Sequence, residues 1–127
     1  MASAPKILII DDELNLRRSL AIGLKLEGFE TEAVGTADDA LEMLAGRAFD
    51  LVLVDLMMPG VHGLELARRI RQLHPTVRIV LTSAYHLSER QMAQADCGAI
   101  GFVPKPYDID DLSRFLHTKL AGPGLVA

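Results

Sequence analysis

Short apolar runs alternate with helix-spaced segments along the whole chain, and polar residues follow each run at once. Residues 7–10 are continuously apolar, as are 51–54, and so are 77–81 apart from Arg78. A strand apolar on both pleat faces must be covered on both sides, as strands inside a parallel sheet are. The mixed segment 30–34 reads as an edge strand, and 99–103 as a short last strand. Between these runs the spacing turns helical. Leu16, Leu20 and Leu24 recur every fourth residue, with Gly28 as the stop. Ala40, Leu41 and Leu44 share one side of 38–44. Leu64, Ala67, Ile70 and Leu73 form a third stripe, ended by Pro75. Residues 88–95 make a weaker fourth helix without an apolar anchor at its start. Ile109, Leu112, Phe115 and Leu116 mark a fifth over 108–120.

Repeated strand–helix units with short loops imply right-handed crossovers. The expected class is α/β: a flavodoxin-like, doubly wound (βα)5 domain with a five-stranded parallel sheet in the order 2-1-3-4-5. A length of 127 residues suits one domain, with a core over about 6–120 and with 121–127 as a tail or the start of a linker. The one cysteine, Cys97, excludes an internal disulfide and reads as a small buried residue beside Gly98 and Ala99. A formal net charge of −4 speaks against direct nucleic-acid binding, which needs a basic face. No apolar run is long enough to span a bilayer, and residues 1–5 lack a signal-peptide layout. The expectation is a soluble, cytoplasmic protein with no membrane partner.

In doubly wound sheets the site lies beyond the carboxyl ends of the strands. Asp11, Asp12 and Glu13 follow the first run. Asp55 follows the third, Thr82 and Ser83 the fourth, and Lys105 the fifth, past Pro104. Taken singly, Asp11-Asp12 reads as a helix-capping pair, Lys105 as a solvated charge and Ser83 as a loop residue. Together at strand ends they read as one crevice. Its crowded carboxylates call for a hard cation; Mg²⁺, which takes oxygen ligands and few carboxylates, suits it. A carboxylate can attack phosphorus, and a cation with a lysine can neutralise the spreading charge. Ser83 can donate to a phosphoryl oxygen.

The residues Asp11-Asp12-Glu13, Asp55-Leu56-Met57-Met58-Pro59-Gly60 with Gly63, Thr82-Ser83-Ala84 and Lys105-Pro106 resemble the receiver domains of two-component response regulators. The resemblance covers the chain from Lys6 to about Leu120. It implies that Asp55 is the phosphoacceptor. It implies Mg²⁺ (or Mn²⁺) on Asp12, Asp55 and the backbone carbonyl of Met57, with Asp11 binding directly or through water. Lys105 would contact the phosphoryl group, Ser83 would be the switch hydroxyl and Phe102 the switch aromatic. A cis Lys105–Pro106 bond is expected. Met57 and Tyr85 would tune access of water to the acyl phosphate. The phosphodonor would be a histidine kinase or histidine phosphotransfer protein, and none of His62, His74, His86 and His117 would serve. The readout surface would be the fourth helix, fifth strand and fifth helix, with His86, Met92, Phe102, Ile109 and Arg114 on or near it. Such a face admits phosphorylation-dependent homodimerisation, and the output partner or domain is unspecified by the residues.

Three other readings compete. A phosphatase of the haloacid-dehalogenase type needs a second Asp two residues after the first, where Met57 stands. An FMN carrier needs hydroxyls and glycines in its first loop, where Asp11-Asp12-Glu13 would repel phosphate. A pseudo-receiver would act without phosphorylation, and its expected lack of an intact site is not met. The chain reads as a signalling phosphoacceptor whose only chemistry is its own phosphorylation and dephosphorylation.

Overall fold

The computed structural model describes residues 4–58, 61–84 and 97–121. The strands are β1 Lys6–Ile10, β2 Glu30–Val34, β3 Leu51–Asp55, β4 Met57–Met58, β5 Val61–His62, β6 Arg78–Ser83 and β7 Gly101–Pro104. The helices are α1 Leu14–Leu26, α2 Ala37–Gly46, α3 Gly63–Leu73 and a C-terminal helix Ile109–Leu120. Five strands pair in parallel in the order β2-β1-β3-β6-β7. This is the doubly wound 2-1-3-4-5 sheet expected from the apolar runs, with β2 at one edge.

Strand parity divides the core into two layers, because successive side chains point to opposite faces. Ile7, Ile9, Leu51, Leu53, Val80 and Val103 pack with Leu20 and Leu24 of α1 and with Leu112 and Leu116 of the C-terminal helix. Leu8, Ile10, Val52, Val54, Ile79 and Leu81 pack with Ala40 and Leu44 of α2 and with Leu66, Ala67 and Ile70 of α3. Both faces are covered, which is why these runs carry no polar alternation. Cys97 is buried in the α2–α3 layer.

The ends of the helices follow local chemistry. Thr36 caps α2 through a hydrogen bond accepted from the Asp39 amide, and Asp108 caps the C-terminal helix by accepting from Asp111. Gly28 adopts φ +99° after α1, the left-handed turn that a side chain resists.

Four expectations change. The buried stripe of α3 is Gly63, Leu66, Ala67 and Ile70, while Leu73 is exposed. Leu73 continues the spacing from Ile70, but it is the last residue of α3 and stands in solvent at the helix end. Ile109 belongs to the α1 layer rather than the readout surface, since it lies over Gly23. The fourth strand runs on through Thr82 and Ser83, because they pair with Val103 and Pro104. A hairpin, β4 with β5, follows β3, and its two-residue strands are too short for periodicity to reveal. The fourth helix expected at 88–95, with His86 and Met92, and Tyr85 lie outside the described residues.

Candidate functional site

Register assembles the site. Ile10 pairs with Val54, so Asp11 continues β1 beside Asp55 at the end of β3. Asp55 in turn pairs with Thr82, and Ser83 with Pro104, which directly precedes Lys105. The Lys105 amide donates to the Ser83 carbonyl at 2.8 Å, holding the β7 exit against β6. The Lys105–Pro106 bond is cis, as expected.

The acidic centre is Asp11, Asp12 and Asp55, whose carboxylate oxygens lie within 4.8 Å of one another. Asp11 and Asp55 are buried and Asp12 is exposed. Lys105 reaches between the two buried acids: Nζ stands 3.1 Å from Asp11 Oδ2 and 3.5 Å from Asp55 Oδ2. Burial lowers the affinity of the ammonium for its proton. The hydrogen bond and attraction to Asp11, with the attraction to Asp55, outweigh that and hold its pKa above the usual lysine value. Lys105 is therefore a fixed cation at neutral pH.

Asp11 is braced on several sides. Its amide donates to Val34 O at 3.1 Å, and its Oδ1 accepts from the Glu13 amide at 2.9 Å. Arg17 Nη1 donates to its carbonyl at 2.9 Å. The N-cap position of α1 is Glu13, whose side chain makes no capping bond. The acidic pair thus faces the crevice and does not serve as a simple helix cap. The apolar spacing of α1 concealed the role of Arg17, because a helical arginine ordinarily reads as a solvated charge.

Asp55 is held by the loop behind it. The Leu56 amide donates to Thr82 O at 2.9 Å, and the Gly63 amide donates to Leu56 O at 3.2 Å. A methyl group on Gly63 would lie 2.5 Å from Leu56 Cα and 2.7 Å from Asp55 O. Only glycine lets α3 start this close to the backbone that carries Asp55. Gly63→Ala is expected to lower stability by about 2 kcal/mol, an overpacking cost, measured by denaturant unfolding. An unchanged midpoint would show that α3 can retreat freely.

Met57, whose backbone carbonyl the resemblance offers as a further metal ligand, belongs to β4, two residues beyond Asp55. Ser83 is buried at the end of β6. Phe102, half-buried on β7, packs on the α2–α3 layer, the face toward which Ser83 points by strand parity. Arg114 is exposed on the C-terminal helix and pairs with Asp111. His117 is also exposed and stacks on Phe29 with ring centroids 4.4 Å apart, and it belongs to no candidate metal group among the described residues. Among the described residues, the one group of three or more acidic, histidine or cysteine side chains close enough to share a metal is the Asp11, Asp12 and Asp55 cluster. No helix among them is long and apolar enough to cross a membrane.

Comparison with known proteins agrees with this geometry. The response regulator receiver domain family matches residues 7–117. The regulatory protein AtoC of Escherichia coli K12 is 34% identical over 120 residues, covering 94% of this chain and 26% of AtoC. The response regulator ArlR of Staphylococcus saprophyticus is 36% identical over 115 residues, covering 91% of this chain and 52% of ArlR. The chain therefore spans about a quarter of the one relative and half of the other. Among solved structures, the response regulator TrrA of Thermotoga maritima, in complex with Mg²⁺ and BeF, superposes with a TM-score of 0.80 at 34% identity, covering 91% of this chain and 98% of TrrA.

Proposed function

The chain belongs to the response regulator receiver domain family, a phosphoacceptor in two-component signalling, and from that premise we propose the residue roles by which it works. Asp55 accepts the phosphoryl group. One carboxylate oxygen attacks phosphorus, the bond from phosphorus to the donor breaks, and the leaving group departs with the electron pair. The product is an acyl phosphate on Asp55. The donor is a histidine kinase or histidine phosphotransfer protein, whose imidazole takes a proton as it leaves.

The observation that carries this reading is Lys105 Nζ, held 3.1 Å from Asp11 and 3.5 Å from Asp55. A buried acceptor beside a fixed cation has an attractive partner for the phosphoryl oxygens already in place. The donor set also fits Mg²⁺ (or Mn²⁺): all-oxygen, with Asp11, Asp12, Asp55 and the Met57 carbonyl. Such an ion supplies positive charge to phosphoryl oxygens. The related TrrA structure contains Mg²⁺, which supports the same choice here.

Ser83 follows the new charge, and Phe102 turns on the α2–α3 face as it does. The altered surface includes β7 and the exposed side of the C-terminal helix near Arg114, where a partner, an attached output domain or a second copy would read it. We assign residues 7–117 to one receiver unit, operating in the cytoplasm.

The test is incubation with acetyl phosphate and Mg²⁺, followed by intact-mass analysis. One phosphoryl group is expected, and none after chelation of the metal. An unmodified mass across several small phosphodonors would leave a phosphorylation-independent interaction module as the better reading.

A further inference from the structure

Arg17 stands half-buried in the first turn of α1, and its guanidinium crosses to the loop that joins β2 to α2. There Nη1 donates to the Asp11 carbonyl at 2.9 Å. The same end of the side chain lies over Gly35. A Cβ at Gly35 would come 2.5 Å from Nη1 and 3.1 Å from Cζ of Arg17. Gly35 does not take a positive φ, so its backbone does not itself call for glycine. What the position requires is room for the guanidinium. The residues on either side of Gly35 are held: Val34 O accepts from the Asp11 amide at 3.1 Å, and Thr36 caps α2.

The bond from Arg17 falls on one particular peptide. The Asp11 carbonyl belongs to the planar unit that joins Asp11 to Asp12, two of the three clustered acids. The Asp11 carboxylate is already fixed, by the Glu13 amide at Oδ1 and by Lys105 at Oδ2. Asp12 is exposed, so packing does not aim its carboxylate. Its direction follows the backbone that carries it. Val34 anchors that backbone before Asp11, and Arg17 anchors it between Asp11 and Asp12. Arg17 also has the wrong sign for a cation site, since like charges repel. Its place beside the acids fits a geometric task.

We infer that Arg17 is a positioning residue for the divalent ion and that Gly35 is the gap it needs. The inference rests on the reading of Asp11, Asp12 and Asp55 as the Mg²⁺ site. Arg17 acts through the Asp11–Asp12 peptide, as partners behind metal ligands orient them. It holds Asp12 in line with the other two carboxylates. It also ties that alignment to the β2–α2 loop, which carries Gly35.

The experiment measures Mg²⁺ affinity by titration calorimetry in the native chain, Arg17→Met, Gly35→Ala and the double variant Arg17→Met/Gly35→Ala. Thermal unfolding without metal, and phosphorylation by acetyl phosphate across Mg²⁺ concentrations, accompany it. Methionine keeps an apolar stem and removes the donor. Mg²⁺ binding is expected to weaken about tenfold in Arg17→Met, the usual scale for a partner behind a ligand. Gly35→Ala is expected to weaken it too, because the added methyl group displaces Nη1. The metal-free unfolding temperature of Gly35→Ala should stay near native, since only the end of a flexible side chain has to move. The double variant is expected to bind no more weakly than Arg17→Met, because one contact is lost once. Phosphorylation should need more Mg²⁺ in each variant and recover its rate at saturation. A purely electrostatic role for Arg17 has the opposite sign, with tighter binding once a cation is removed. Affinity in Arg17→Met equal to native or tighter would overturn the inference. So would native affinity in Gly35→Ala, losses that multiply in the double variant, or rates that stay low at saturating Mg²⁺. Should Arg17→Met fail to fold, Gly35→Ala alone decides. A native chain that binds no Mg²⁺ would overturn the metal reading and this one together, whereas a native chain that binds it beside indifferent variants overturns this one alone.

Discussion

Asp55→Asn is expected to gain no phosphoryl group under conditions that modify the native chain fully. The amide keeps the shape of the carboxylate and removes its nucleophilic charge. Nothing else at the site can replace it. Asp11 Oδ1 is engaged by the Glu13 amide and Oδ2 by Lys105, and Asp12 is exposed. The same variant separates chemistry from folding. It removes one of three clustered carboxylates while leaving Lys105 its closer partner, Asp11, at 3.1 Å. Metal-free stability is therefore expected to stay within about 1 kcal/mol of native. The Mg²⁺-dependent rise in unfolding temperature is expected to shrink, because that rise follows the affinity of the folded state for the ion. Intact mass and thermal unfolding with and without Mg²⁺ read both effects. A phosphoryl group still arriving on Asp55→Asn would move the acceptor elsewhere.

Lys105→Met is expected to slow phosphorylation about 10²–10³-fold, the usual loss when one donor to a developing negative charge is removed. Methionine keeps much of the stem and discards the cation. Without metal, Asp11 and Asp55 then lose the ammonium that lies 3.1 and 3.5 Å from them. Stability should fall by about 2 kcal/mol, below the cost for a fully buried pair because solvent screens this one in part. Mg²⁺ should recover much of this stability and little of the rate, since an ion can offset charge without taking the place of the lysine. The sign with pH follows from the raised pKa of Lys105. Its contribution is complete below the unfolded lysine value of about 10.4 and is lost as pH rises through the folded value. The stability gap between native and Lys105→Met should accordingly hold from pH 6 to 9 and close only in strong alkali. A gap that closed near pH 7 would mean that another group supports the acidic centre.

Much of the fold was legible because its cause is local. Residues 7–10 and 51–54 are apolar without alternation, and only a strand covered on both faces tolerates that. Gly28, Thr36 and Asp108 mark helix ends through their own backbone or side-chain chemistry. The order of acidic, serine and lysine residues after the strands was equally open to reading. The details that failed depend on neighbours from elsewhere in the chain. Leu73 continues the α3 spacing, yet Leu66 is the residue that meets the sheet. Ile109 looked available for a readout surface until α1 was seen to pass over it with Gly23 in contact. The β4–β5 hairpin offers two residues per strand, too few for any period.

The chain's own order of residues determined the alternating architecture, the acidic cluster and the place of Asp55 at the end of a buried strand. Each of these rests on properties a short segment carries by itself: burial on two faces, helical spacing, a polar residue where an apolar run stops. Only the tertiary structure decided that Lys105 lies between Asp11 and Asp55, that Arg17 braces Asp11, and that Gly63 must lack a side chain. Those relations join residues from six to 94 positions apart, through sheet register and helix packing. A periodicity states which face a residue occupies, while its distance to a partner on another strand exists only once the sheet has formed.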